Sequence, residues 1–154
     1  MSCAAARVSV VPFRIPRERR LLRAQAFDQR PEVAAFGLQG RYDDDSDAVV
    51  GFTSISACAL GGGGVEALNG GAIAAGFDAA CVLAGLAQFD ADVVVTLSLH
   101  VQFLRLAHAC PGLEFRAQVT RSSSRFCFVQ AQLRDRHDPA ALTLATAVAT
   151  LAPR

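Results

Sequence analysis

One carboxylate stands apart in this chain of 154 residues. Asp78 is the single charge in the stretch from Leu68 to Phe89, LNGGAIAAGFDAACVLAGLAQF. A segment apolar on nearly every side reads as a buried helix. An unpaired charge inside one is costly, so Asp78 must be hydrogen-bonded, be shared with a substrate, or work as an acid–base group. Isolated acids of this kind gather at functional sites, although structural acids exist too. Upstream, Asn69-Gly70-Gly71 has the chemistry of a helix entrance. The Asn side chain can accept from a first-turn amide, and the glycines let other groups approach the backbone closely.

The remaining polar candidates carry less. Thr96 lies in an alternating run, where Thr is common simply because it is β-branched. His100 shares that run and reads as a surface or interface residue. Arg121 and Arg125 flank three serines in RSSSR, a basic turn that could meet phosphate or simply be solvated. The glycines at 61–64 precede the helix but match neither GxGxxG nor a GK[ST] loop, so they read as a connection. The run DDDSD at 43–47 lacks the ligand spacing and terminal Glu of an EF-hand, and reads as a hairpin turn. Five scattered cysteines form no CxxC and have no His at zinc spacing. They read as reduced thiols of a cytoplasmic protein, with neither a metal nor a separate cofactor expected.

Composition frames these residues. An apolar share of 52% against 19% charged fits a globular domain with a substantial core. The net charge of +1 hides an uneven spread: residues 1–30 carry +5, 31–92 carry −8 and 93–154 carry +4. Every basic residue is Arg. Without interleaved aromatics or a recognised motif, the basic ends predict no nucleic-acid partner. The N-terminal arginines follow the apolar run, the wrong order for a secretory signal. The central apolar run is interrupted by Asp78 and by glycines, so no membrane span is expected.

In chain order, RERRLLRAQAF at 17–27 predicts a short amphipathic helix, packing through Leu21, Leu22 and Phe27 with its arginines in water. Residues 1–35 are read as an N-terminal extension and 36–154 as the main domain. Strands are expected at 36–42 and 48–56, then the helix, then strands at 92–104, 113–120, 126–134 and 141–151. In DVVVTLSLHVQFL, Val93, Val95, Leu97, Leu99, Val101 and Phe103 should share one face, and Thr96, Ser98, His100 and Gln102 the other. Short turns imply that these four strands form an antiparallel meander. An α+β architecture follows, with an antiparallel sheet wrapped around one long central helix.

Three stretches carry a family resemblance: LNGGAIAAGFDAA, VTLSLHVQFLRLA and RSSSRFCFVQAQLRD. In order and spacing they resemble hotdog-fold acyl-CoA thioesterases of the phenylacetate-degradation-protein type, over roughly residues 36–152. The resemblance implies a hotdog fold and hydrolysis of an acyl-CoA thioester, with coenzyme A as part of the substrate. It implies that the Gly70 N–H, beside Gly71, polarises the carbonyl at the helix N-terminus. Asp78 would be nucleophile or general base, and Thr96 would hold the water or the carboxylate. Arg121 and Arg125 would meet coenzyme A phosphates.

A helix N-terminus suits a developing oxyanion, because its amide donors are already oriented. Gly70 and Asp78 are eight residues apart, about 12 Å along one helix. They cannot serve one carbonyl in one chain, so the site would be shared across a C2 homodimer or a dimer of dimers. Two positions depart from the family pattern. Asn69 stands where the family has His, and it caps the helix without proton chemistry. Gly63 stands where relatives carry an Asn or Gln that positions water. The alternative reading is therefore a hotdog protein that binds acyl-CoA without efficient hydrolysis. Pocket depth would follow from the packing of Phe52, Phe77, Phe89 and Phe103.

Overall fold

The computed structural model describes residues 9–61 and 63–154; Cys3 and the first part of the irregular N-terminal stretch lie outside the described residues. In chain order the elements are α1 (Arg17–Asp28), α2 (Pro31–Ala35), β1 (Leu38–Tyr42), β2 (Ala48–Phe52), β3 (Leu60–Gly61), β4 (Ala67–Leu68), α3 (Gly70–Gln88), β5 (Val94–Phe103), β6 (Leu113–Ser122), β7 (Cys127–Asp135) and β8 (Thr143–Pro153). Six strands form one antiparallel sheet in the order β1-β2-β6-β7-β8-β5, curled around α3, while β3 and β4 make a separate small hairpin. This is the α+β, helix-in-sheet architecture that the hydropathy pattern implies.

The core forms where α3 meets the inner face of the sheet. Phe77 and Phe115 are fully buried and pack edge to face, 5.1 Å between centroids. Gly76 makes that contact possible, since a Cβ there would collide with the Phe115 ring. Along β8 the inner positions are Ala145, Ala147 and Ala149, all buried, and these small residues let the helix lie close to the sheet. From Ala80 to Gln88 every residue of α3 is buried. By length and hydropathy this helix could cross a membrane, but 72% of its most apolar window is buried inside the protein, so it is the core helix.

Three expectations are corrected. The four-strand meander is a three-strand one, because β5 pairs with β8 at the sheet edge and β6 pairs with β2. Residues 104–112 carry the chain between those places, a connection longer than a hairpin turn. The face of α1 is also rotated. Leu21 and Leu22 are 49% and 64% exposed, whereas Arg20, Ala24 and Phe27 are buried. Arg20 is tolerated inside because its guanidinium lies 5.4 Å from the Phe13 ring and 5.7 Å from the Tyr42 ring, and it pairs with Asp45.

The third correction bears on the site. Pairing along β5 skips Leu97: Thr96 opposes Leu151, and Ser98 opposes Thr150. This β-bulge breaks the even alternation expected over residues 93–103, because an extra residue flips the faces that follow it. Val94 and Thr96 face the helix before the bulge, and Leu99 and Val101 after it, opposite the buried Ala149 and Ala147. Thr96 therefore turns inward, away from Ser98 and His100.

The acidic turn behaves as a hairpin turn. Asp44 Oδ1 accepts from the N–H groups of Ser46 and Asp47, each at 2.7 Å, which closes the turn and holds the Asp44 carboxyl below its ordinary range. Asp43 and Asp47 also pair with Arg116 of β6, fastening the turn to the sheet.

Candidate active site

Two of the sequence-singled residues meet. Thr96 Oγ1 donates to Asp78 Oδ1 at 2.6 Å, joining the edge strand to the middle of α3. At this distance the bond is in the range of short, strong O–H···O contacts. No other hydrogen bond reaches Asp78 among the described residues, so Oδ2 keeps its accepting capacity. Asp78 is half-buried rather than fully buried as the apolar stretch implied. The reason is local: Gly71, Ala74, Ala75, Asp78 and Ala79 form the side of α3 turned away from the sheet, and in the single chain that side stays partly open. One turn further on, Cys81 points into the core. Burial pushes its thiol well above the usual range, and the nearby Asp78 charge pushes it further.

The helix entrance is built as its residue types require. Asn69 Oδ1 accepts from Ala72 N–H at 2.8 Å, the bond expected of an N-cap. Its Nδ2 donates to the carbonyls of Cys58 at 2.8 Å and Leu60 at 3.3 Å, tying the helix to the β3 hairpin. All of its hydrogen-bonding atoms are thus committed to structure. The N–H groups of Gly70 and Gly71 make no hydrogen bond among the described residues, and Gly70 and Gly71 are exposed. They are the oriented donors of a helix N-terminus.

Sequence reasoning missed one neighbour here. The Phe103 ring lies over Gly70, close enough to stand 3.3 Å from a Cβ placed there. Nothing in local sequence spacing marks that contact, because it depends on where β5 ends against α3. Gly63 adopts φ +65° in the exposed β3–β4 turn, with nothing within 4 Å of a Cβ built on it. It supplies backbone freedom and no polar group.

The two halves of the constellation remain apart. Asn69, Gly70 and Gly71 sit at the start of α3 and the Asp78–Thr96 pair two turns along it, about 12 Å away. Arg121 and Arg125 are exposed and form no ion pair among the described residues. Arg121 opposes Phe128 at the end of β6, and Arg125 lies in the turn before β7. Cys127 and Thr96 flank Leu151 from opposite sides of β8, so this basic turn is at the same end of the sheet as Thr96. Two strand spacings, about 10 Å, separate the two registers.

A pocket of about 320 Å³ opens beside the pair, and Asp78 and Thr96 are part of its lining. None of Phe52, Phe77, Phe89 or Phe103, the four rings expected to set its depth, lines it. Phe77 and Phe89 are spent in the core, and Phe27 and Phe36 stand at the pocket instead. Among the described residues, no three His, Cys, Asp or Glu side chains gather as metal ligands.

Comparison with known proteins agrees with this fold. Residues 66–141, which hold α3 and the strands β5 to β7, match the family model described as Thioesterase superfamily. The PaaI protein of the phenylacetic acid degradation operon of Escherichia coli has a similar structure, with TM-score 0.74 and 20% identity over 89% of this chain and 94% of that one. A thioesterase family protein from Silicibacter pomeroyi gives TM-score 0.72 and 21% identity, over 86% and 96% of the two chains. A mutant of the phenylacetic acid degradation protein PaaI from Thermus thermophilus gives TM-score 0.64 and 22% identity, over 81% and 100%. Curated protein sequences give no match. Residues 66–141 resemble the thioesterase superfamily, and the chain has a hotdog fold.

Proposed function

We propose that the protein hydrolyses an acyl-CoA thioester to the free acid and coenzyme A. The match of residues 66–141 to the Thioesterase superfamily model supports acyl-thioester hydrolysis as the general chemistry. The observation that carries the finer reading is the Asp78–Thr96 pair on the wall of a largely apolar pocket, whose other charged lining residues are Arg30 and Glu32. In this reading the N–H of Gly70, with Gly71 beside it, polarises the thioester carbonyl, and the carboxylate of Asp78 of the partner subunit acts on the same carbon. That carboxylate either attacks directly or takes a proton from the attacking water. In both routes the negative charge forms on the carbonyl oxygen, the C–S bond breaks on collapse, and the thiolate leaves to be protonated; in the direct route water then hydrolyses the mixed anhydride left on Asp78, releasing the acid and restoring the carboxylate. Thr96 fixes one oxygen of the carboxylate and leaves the other to react. Arg121 and Arg125 hold coenzyme A phosphates outside the pocket.

The shared site requires a homodimer or a dimer of dimers. Two features support it. The edge of β5 away from β8 is unpaired among the described residues, and such an edge invites pairing with a second strand. Leu97, Phe103, Leu104 and Leu106 are exposed on or just after that strand. A monodisperse monomer in light scattering would contradict the shared site. We place the protein in the cytoplasm, in keeping with four unpaired cysteines among the described residues.

The commitment of Asn69 to capping favours a second reading, an acyl-CoA-binding protein without efficient turnover. A panel of acyl-CoAs assayed for free thiol release separates the two. Release from at least one member well above the uncatalysed rate supports hydrolysis, and tight binding without release supports the second reading.

A further inference from the structure

The pocket beside Asp78 has two walls of different origin. One is the open side of α3, with Ala75 and Ala79. The other is Phe27, Val33, Phe36 and Leu38, which belong to α1, α2, the segment leading into β1 and the start of β1 itself. That second wall precedes residue 66, where the match to the thioesterase superfamily begins. It is firmly held. Phe27 and Val33 are buried, Asp28 accepts from Gly40 N–H at 2.7 Å, and Arg23 donates to the carbonyls of Leu86 and Phe89 at the end of α3. Arg30 stacks near the Phe27 ring and donates to the Asp92 carbonyl at 3.3 Å, closing the segment against the approach to β5. Phe36 differs from the rest, being 38% exposed at the rim.

We propose that this N-terminal segment is the acyl-selecting wall of the site, and that Phe36 sets the size of acyl group admitted. The inference rests on the acyl-thioester reading above. A volume of about 320 Å³ is at the small end of ligand pockets, which run from about 300 to 1,000 Å³. It suits the acyl part of a thioester and leaves the nucleotide outside. Arg30 and exposed Glu32 also line the pocket, and apart from them and the Asp78–Thr96 pair the lining is hydrocarbon, so the group selected is an uncharged alkyl or aryl acyl chain. A carboxylated one would meet two carboxylates, Asp78 and Glu32, against one guanidinium, Arg30, which already donates to the Asp92 carbonyl.

Phe36→Ala should open the rim without costing the core, because the ring is partly in water. Butanoyl-, octanoyl- and dodecanoyl-CoA are the probes, read as kcat/KM in the full chain, with thermal melting to confirm folding. The expected result is a rise of at least about tenfold in the preference for dodecanoyl over octanoyl, since a single methylene in an apolar pocket already discriminates about 10- to 200-fold. Phe36→Trp should shift preference toward butanoyl. A folded Phe36→Ala protein with the wild-type chain-length profile would overturn the assignment while leaving hydrolysis intact. Calorimetric binding of the same three thioesters to wild type and Phe36→Ala covers the other failure. If wild type binds without turnover and the variant still shifts chain-length preference, the hydrolysis reading falls and the selecting wall stands.

Discussion

Thr96→Val is the perturbation that isolates what the bulge in β5 achieves. Valine keeps the β-branch and nearly the shape of threonine, so the strand loses only a hydroxyl. That hydroxyl donates to Asp78 Oδ1 at 2.6 Å. A hydrogen bond to a charged group is worth about 1.5–3 kcal/mol, and the pocket's access to water places this one near about 1.5–2 kcal/mol. If the bond holds the carboxylate in its reacting position, that energy appears in the barrier, about 10- to 30-fold in kcat. KM should move less, since the acyl and phosphate contacts are untouched. Initial rates of thiol release on the best acyl-CoA give both parameters, and Thr96→Ser should restore most of the loss. A Val variant within twofold of wild type, or a Ser variant as slow as Val, would refute the positioning role.

Other expectations follow from the same contacts. Asn69→Ala removes the bond to Ala72 N–H and two bonds to the β3 hairpin, and should cost about 1–2 kcal/mol. For a domain of this size that lowers Tm by about 2–8 °C, and an unchanged Tm would show the cap to be idle. Arg121→Ala with Arg125→Ala should raise KM for acyl-CoA several-fold with a smaller change in kcat, because phosphate contacts remote from the reacting carbon supply mostly uniform binding. Unchanged KM would remove the phosphate assignment. At acid pH the Asp43 carboxyl is informative: burial pushes its pKa up, but hydrogen bonds and charge from Arg41 and Arg116 outweigh this and hold it below the ordinary range. Its folded pKa is depressed, so its contribution is complete above about pH 3.9 and is lost as pH falls through the folded value. Asp43→Asn should flatten that part of the stability–pH curve, measured by denaturant unfolding between about pH 2 and 5.

The parts of this molecule legible in the sequence were those governed by local patterns. The helix over Gly70–Gln88 was visible in its unbroken apolar character and its Asn-Gly-Gly entrance, and the acidic hairpin turn in its run of Asp. The role of Asp78 as the group needing a partner was visible because burial makes a lone carboxylate conspicuous. What local patterns could not carry was pairing. The place of β5 beside β8 is a long-range choice, and the bulge at Leu97 is a property of two strands together. The apolar alternation of residues 93–103 therefore pointed Thr96 to the wrong side. The buried face of α1 was misread for a related reason. Arg20 enters the interior because two aromatic rings and Asp45 receive it, and those partners come from distant segments. The pocket wall was missed likewise: Phe27 and Val33 looked like part of an extension and Phe36 like the start of a strand, and only the fold brings them to Asp78.

The central claim is that the Asp78 carboxylate acts on the thioester, and Asp78→Asn measures it directly. Asparagine keeps the side-chain shape, and its carbonyl can still accept from Thr96, while charge, basicity and nucleophilicity are lost. Because Asp78 is half-buried with one hydrogen bond, stability should stay within about 0.5 kcal/mol of wild type. Thiol release should fall at least about a hundredfold in kcat, the lower end for losing a general base, with KM nearly unchanged. A folded Asp78→Asn protein that turns over acyl-CoA at close to the wild-type rate would contradict the account.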